Sequence, residues 1–269
     1  LTVLSRSSST SIFPASVKVI HVDYTSVKSL TAALQGQDAV ISAVGNEGLP
    51  GQSVLVDASI AAGVKRFLPS EFGLDTGNSK TAALPAFGYK VATRKHIEEK
   101  VAAGVSITYT YIINGPFLDW GLEQRFLLDW NEEKPRIYDG GNQIISTTTL
   151  HSVGLAVVGV LDHYEETKNK SVFVQDIQIS QNILLELAKK VQPTKKWEPI
   201  EVSLAEIEKS SNAALAKGDY SAPVMYGYLF VAMFGEGYGS RTEKDDNKLL
   251  GVPGKTEADV EAILKKLLV

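Results

Sequence analysis

The chain has 269 residues, 44% hydrophobic and 22% charged, which is ordinary for a globular protein and far from disorder. With 27 basic against 31 acidic side chains the net charge is −4, so there is no basic footprint for nucleic acid or an anionic membrane. Cysteine is absent, which excludes disulfides, zinc thiolates, iron–sulfur clusters and a cysteine nucleophile; His21, His96, His151 and His163 are too scattered for a metal box.

In chain order, Leu1-Thr2-Val3-Leu4 reads as a strand with no lead-in, followed by the polar loop Ser5-Arg6-Ser7-Ser8-Ser9. Val17 to Asp23 is a second strand, and Val27, Leu30, Ala33 and Leu34 form the apolar stripe of a helix over 26–35. Asp38 to Gly45 is a continuously apolar third strand, as a strand buried on both faces should be. A helix over 51–62 stops at Gly63, Val64 to Pro69 is a fourth strand, and a helix over 87–103 ends at Gly104. Ser106 to Ile113 is a fifth strand. Strand and helix alternate repeatedly, which predicts an α/β fold with a doubly wound, Rossmann-like parallel sheet.

Beyond Asn114 the rhythm changes. Residues 117–130 are aromatic and apolar and read as one helix; helices are also expected over 150–161, 181–191 and 257–268, with a strand over 171–174. Residues 224–234 are apolar all round, too short for the roughly 20 residues of a membrane span, and read as a buried helix over a pocket. The expected division is a nucleotide-binding domain over 1–115 with the chain re-entering the sheet near 144–176. Residues 116–143 and 177–269 form a smaller, mainly substrate-binding region. The first residues are not a basic segment followed by an apolar stretch, and a cytoplasmic location is expected. The sequence carries no signal for oligomeric state.

Ligands of a doubly wound sheet sit beyond the carboxyl ends of its strands. The residues just after the five strands are Arg6 with Ser7 and Ser8; Asp23 and Tyr24; Gly45 and Asn46; Glu71 and Phe72; and Asn114, Gly115, Pro116 and Phe117. These are the candidate cofactor contacts. Arg6 with a hydroxyl beside it suits a ribose 2′-phosphate, because a guanidinium clamps phosphate oxygens bidentately; the competing reading is a solvated loop arginine. No phosphate-binding glycine loop follows any strand, and Gly235-Glu236-Gly237-Tyr238-Gly239 follows a helix.

Val64-Lys65-Arg66-Phe67-Leu68-Pro69-Ser70-Glu71-Phe72-Gly73 closely resembles the V-K-R-F-x-P-S-E-F-G segment of isoflavone reductase-like proteins, the NmrA-like branch of the short-chain dehydrogenase superfamily. Thr2 to Arg6 resembles that family's second strand with its NADP-selecting arginine. Asp38 to Ser42 resembles its fourth strand, and Asp246-Asn247 with Leu249-Leu250-Gly251 its C-terminal end. The resemblance covers nearly the whole chain and is closest to fungal members. It implies NADP(H) as cofactor, a small-molecule substrate, and neither a nucleic-acid nor a membrane partner. It also implies that the chain starts at the family's second strand and is N-terminally truncated, lacking the first strand, its glycine loop and the first helix. A βαβ unit of about 30 residues sets the size of that expected loss.

Lys90 is the catalytic candidate. On a helix, positions 90, 94, 97 and 101 fall within about 60° of one another, so Lys90 shares a face with Ile97 and Val101. Partial desolvation and Arg94 one turn away favour the neutral amine that a general base needs. Read without the family, Lys90 is sooner a snorkelling lysine covering apolar surface than a general base; the resemblance puts the family's catalytic lysine here. The Tyr-x-x-x-Lys matches at Tyr24 and Lys28, and at Tyr164 and Lys168, fall in the wrong local contexts. Two departures from the family stand out: no lysine occurs in Ser7–Ser16, and His151-Ser152 replaces acidic residues. The expected function is an NADPH-dependent reductase of a small aromatic or secondary-metabolite substrate, with hydride from NADPH and a proton relayed by Lys90. The alternative is a non-catalytic NAD(P)-binding sensor; no metal is expected.

Overall fold

The computed structural model describes residues 1–268. The first strands are β1 (Thr2–Arg6) and β2 (Lys18–Val22), paired in parallel with Leu4 opposite Ile20 and Arg6 opposite Val22. Helix α1 (Val27–Leu34) opens on Ser26, whose side chain accepts from the Ser29 amide, and is followed by β3 (Ala39–Ile41). A 3-10 turn over Asn46–Gly51 leads into α2 (Gln52–Ala61), then β4 (Arg66–Leu68). Next come α3 (Ser79–Ala83), α4 (Gly88–Ala102), β5 (Thr108–Ile113), α5 (Leu118–Glu123), β6 (Arg136–Tyr138) and β7 (Ile145–Thr147). The chain continues with α6 (Leu150–Asp162), β8 (Lys170–Phe173), β9 (Ile177–Ile179), α7 (Gln181–Val191) and β10 (Ile200–Val202). It ends in α8 (Leu204–Leu215), α9 (Ala222–Phe234), α10 (Asn247–Leu250) and α11 (Glu257–Leu268).

The main sheet has the order β3-β4-β5-β8, with β3, β4 and β5 parallel. Strands β1 and β2 form a separate parallel pair, and among the described residues no ladder joins β1 to β3. Of the expected re-entry over 144–176, β8 joins the main sheet, whereas β7 pairs antiparallel with β9 in a ladder of its own.

The chain divides into two compact units. The first comprises 1–70, 89–111 and 168–170; the second comprises 71–88, 112–167 and 171–269. The core of the first unit gathers Leu30, Val56, Phe67 and Ile97, all fully buried, with Val40 from β3, Ile107 just before β5 and Val101 packed against them. Burying each such side chain contributes about 1.5–3 kcal/mol, which is what holds α1, α2 and α4 against these strands. Arg66 is also fully buried: Nε donates to Thr108 Oγ1 and Nη1 to Thr110 Oγ1, each at 2.8 Å, so β5 offers hydroxyls where an apolar neighbour would leave the guanidinium unsolvated.

In the second unit, the stretch 117–130 is not one helix. α5 ends at Glu123, Arg125 takes a left-handed φ of 59°, and the Phe126 and Leu127 amides both return to the Gly121 carbonyl. The fold-back needs Gly121, where a Cβ would lie 2.9 Å from Leu127 Cγ. The apolar helix α9 is not buried all round either: Tyr226 is 40% exposed. Its Phe230 and Phe234 stack on Tyr138 with ring centroids 4.9 and 5.2 Å away, and Phe126 stacks on Phe230 at 4.7 Å. Asp246 and Asn247 serve as backbone anchors, accepting from the Phe173 and Gln175 amides at 2.9 and 3.1 Å.

Candidate active site

A cavity of about 820 Å³ in the first unit opens beyond the carboxyl ends of β1, β2 and β3. β1 contributes Leu4, Ser5 and Arg6; Tyr24 and Thr25 come from the turn after β2, and the chain from Ala43 to Gln52 supplies the other side. The crevice beyond the carboxyl ends of the strands is where open α/β sheets bind ligands.

Of the candidate residues, Arg6, Tyr24, Gly45 and Asn46 line this cavity. A second depression of about 480 Å³ brings together Arg6, Ser7, Ser8, His21, Asp23 and Tyr24. Arg6 therefore belongs to both. Its Nη1 lies 3.4 Å from Glu47 Oε2, with both side chains largely exposed. Tyr24 donates its hydroxyl to the Leu4 carbonyl at 2.9 Å, and burial pushes its phenol up despite Arg6 nearby. Asp23 accepts from the Thr25 hydroxyl and amide at 2.7 and 2.8 Å, which holds its carboxyl below the ordinary value and forms the turn into α1. His21 turns Nδ1 to the Arg6 carbonyl at 3.3 Å.

Lys90 stands in the first turn of α4, half-buried, outside these two groups of lining residues. The helical phase is as expected, with Ile97 fully buried and Val101 against the core. Arg94 makes contacts of its own. Its guanidinium lies 4.1 Å over the Tyr111 ring and 4.0 Å from Glu98 Oε1, and the Tyr111 hydroxyl donates to Glu98 at 3.1 Å. Arg94 is thus directed at a ring and a carboxylate, which offset the charge it was expected to bring to Lys90. Burial, with Glu98 beside it, pushes the Tyr111 phenol well above the ordinary range.

The remaining candidates belong to the second unit and cluster through the backbone. The Asn114 and Gly115 amides both donate to the Gly73 carbonyl, and the Thr148 amide donates to Pro116. Phe117 pairs with Thr148. Gly115, at φ 63°, passes so close to the Ser146 carbonyl that a Cβ would sit 1.9 Å from its oxygen. Glu71 is buried and accepts from Thr76 Oγ1 at 2.7 Å, and the next residue, Phe72, holds a positive φ of 24°. Backbone held in such sparsely populated regions concentrates at functional sites.

Sequence reasoning missed Glu47 and Gln52. Glu47 lies in a segment with no periodicity to mark it. Gln52 is 1% exposed; its Oε1 accepts from the Ser70 amide at 2.7 Å, and its Nε2 is buried without a hydrogen-bond partner. The only signal for Gln52 was its place at the start of a helix after an apolar strand. His151 is exposed in the first turn of α6, where Thr149 is the cap. Among the described residues no cluster could hold a metal, and no helix is long and apolar enough to cross a membrane.

The comparison that decides the grouping is the NmrA-like family model, which matches residues 5–207. The chain belongs to the NmrA-like family. An oxidoreductase, poxI of Penicillium oxalicum, is 34% identical over 276 aligned residues, covering 99% of this chain and 86% of the relative. The oxidoreductase aprR of Aspergillus flavus is 32% identical over 273, covering 99% and 90%. The solved structure of AtPrR2 with NADP+ and (+)pinoresinol superposes with a TM-score of 0.75 at 25% identity, covering 93% of this chain and 82% of that one. This NmrA-like chain is accordingly an oxidoreductase with a Rossmann-like α/β fold.

Proposed function

We propose that the protein is an NADPH-dependent reductase of a small aromatic substrate, with Lys90 as its proton-transfer residue. One observation carries the reading: a cavity of about 820 Å³ at the carboxyl ends of parallel strands, with Arg6 in its lining. The lining suits the ribose and 2′-phosphate part of a dinucleotide. Gly45 has open space around its Cα, Asn46 and Thr25 offer polar groups, and the depression beyond Arg6 adds Ser7 and Ser8 as hydroxyl donors beside a guanidinium. The AtPrR2 structure holds NADP+ in the same overall fold and supports the same cofactor here.

NADPH, when bound, supplies the hydride. Arg6 and Ser7 would hold the 2′-phosphate, and Tyr24, Gly45 and Asn46 would line the nucleotide's path. Asp23 shapes the turn behind Arg6 through its bonds to Thr25. In the second unit, Glu71, Phe72, Asn114, Pro116 and Phe117 are the remaining candidate contacts, and Phe126, Phe230, Tyr138 and Phe234 form one row of stacked rings. Lys90 Nζ exchanges a proton with a phenolic oxygen of the substrate, a role worth about 10²–10⁴-fold in rate.

The test is calorimetric titration with NADPH alongside NADPH oxidation over a panel of phenolic and quinone-like acceptors. Lys90→Ala should retain NADPH binding and lose turnover by about 10²–10⁴-fold, and Lys90→Arg should not restore it, because a guanidinium stays protonated. Unchanged turnover in Lys90→Ala removes the lysine from the mechanism. Cofactor binding without turnover on every acceptor turns the reading to a redox sensor.

A further inference from the structure

We propose that His21 is a second basic contact for the 2′-phosphate of the dinucleotide, so that preference for NADPH over NADH strengthens as pH falls through the titration of its imidazole. The proposal rests on the dinucleotide reading above and adds a residue and a pH dependence to it.

Positions 7–16 carry no lysine, and the structure brings a different basic group to Arg6. β2 runs parallel to β1, with His21 opposite Ser5 and Val22 opposite Arg6. Side chains alternate across a strand, so Val22 is buried and His21 exposed. His21 lines the depression of about 480 Å³ together with Arg6, Ser7 and Ser8. A guanidinium, an imidazole and two hydroxyls thus share one open depression, a donor set suited to a phosphate monoester.

The orientation of the ring sets its chemistry. Nδ1 lies 3.3 Å from the Arg6 carbonyl oxygen, which only accepts, so Nδ1 carries the proton of the neutral ring. Nε2 is then an acceptor, facing away a phosphate oxygen; protonation turns it into a charged donor while Nδ1 keeps its bond. The other titratable groups lining the depression are Arg6 from β1 and Asp23 and Tyr24 from the turn after β2. The Tyr24 hydroxyl donates to the Leu4 carbonyl, and Glu47 is turned to Arg6. Asp23 is bonded to Thr25 and held below the ordinary carboxylate value, so it stays ionised near neutrality with or without a ligand. Helix α1, packed on β2, has Lys28 as its one charged residue, outside this lining. A change in His21 on binding therefore reports the phosphate.

An imidazole ordinarily titrates near about pH 6.5, and an exposed charge pair changes affinity by up to about fivefold. The experiment follows the His21 ring protons of the full chain by NMR against pH, alone, with 2′,5′-ADP and with 5′-AMP. Loss of the resonance in His21→Asn assigns it. With 2′,5′-ADP the His21 midpoint should rise by about 0.3–0.7 of a pH unit, equivalent by linkage to about two- to fivefold in affinity; with 5′-AMP it should not. His21→Asn keeps an N–H for the Arg6 carbonyl and removes the titrating nitrogen. Its NADPH-to-NADH affinity ratio should match wild type at about pH 8 and fall about two- to fivefold below it at about pH 5.5. Comparing the two proteins cancels the titration of the 2′-phosphate itself near about pH 6. Three results would overturn the contact and leave the dinucleotide reading standing: a His21 midpoint unmoved while other resonances report saturation by 2′,5′-ADP, an equal rise with 5′-AMP, or coincident ratio profiles for wild type and His21→Asn. No binding of NADPH or 2′,5′-ADP at any pH would overturn the dinucleotide reading and this inference with it.

Discussion

Glu47→Gln should tighten NADPH binding, and selectively over NADH. In the structure Arg6 Nη1 lies 3.4 Å from Glu47 Oε2, with side-chain exposures of 64% and 88%. Coulomb's law at that distance in bulk water gives about 1.2 kcal/mol. Two long exposed side chains lose conformational entropy by staying paired, and measured exposed pairs contribute about 0.2–1 kcal/mol. A 2′-phosphate that takes Arg6 must displace Glu47 by that amount and then sit near its negative charge. Removing the carboxylate should therefore improve NADPH affinity by about 1.4- to 5-fold. NADH lacks the 2′-phosphate and should gain much less. The gain should shrink as salt rises, since the screening length is about 10 Å at 0.1 M. Fluorescence titration of both cofactors at low and high salt measures this. Equal tightening of NADH and NADPH, or a gain indifferent to salt, would falsify the assignment of Arg6 to the 2′-phosphate.

Arg6→Ala should cost about 10- to 150-fold in NADPH affinity while sparing NADH, the worth of a charge-assisted phosphate contact; an unchanged NADPH-to-NADH ratio refutes it. Gly115→Ala combines a left-handed φ with a Cβ 1.9 Å from the Ser146 oxygen, so urea unfolding should show a loss of about 2–5 kcal/mol. Asp57 accepts from His96 Nε2 at 2.9 Å and Lys100 Nζ at 3.1 Å; burial raises its pKa, but these bonds prevail and hold it below the ordinary value. A depressed carboxylate stabilises the fold above its unfolded pKa of about 3.9 and loses that contribution as pH falls through the folded value. Asp57→Asn should thus flatten the stability profile below about pH 4, at a cost near neutrality of at most about 1 kcal/mol for this half-exposed group; a profile identical to wild type refutes the linkage.

The alternation of strand and helix was legible because buried parallel strands leave continuous apolar runs and helices leave a 3.6-residue stripe. Helices α6 and α7, with Thr149 and Ser180 as caps, and α11 fall within a residue or two of expectation. The 117–130 stretch was misread because its apolar content is helical in composition, while the break at Arg125 depends on Leu127 packing over Gly121. The short strands β6, β7, β9 and β10 left no mark, since three residues are too few to show a period.

The sequence alone determined the fold class, the family through the P-S-E-F-G segment, and the phase of Lys90 with Ile97 and Val101. Those features depend on local spacing and residue type. Tertiary structure decided what spacing cannot encode. It set Glu47 against Arg6 across 41 positions, turned Arg94 onto Tyr111 and Glu98, and seated Gln52 on Ser70 with its amide nitrogen unpartnered. Each is a contact between segments distant in sequence, set by how the apolar core brings separate elements together, and no periodicity records it.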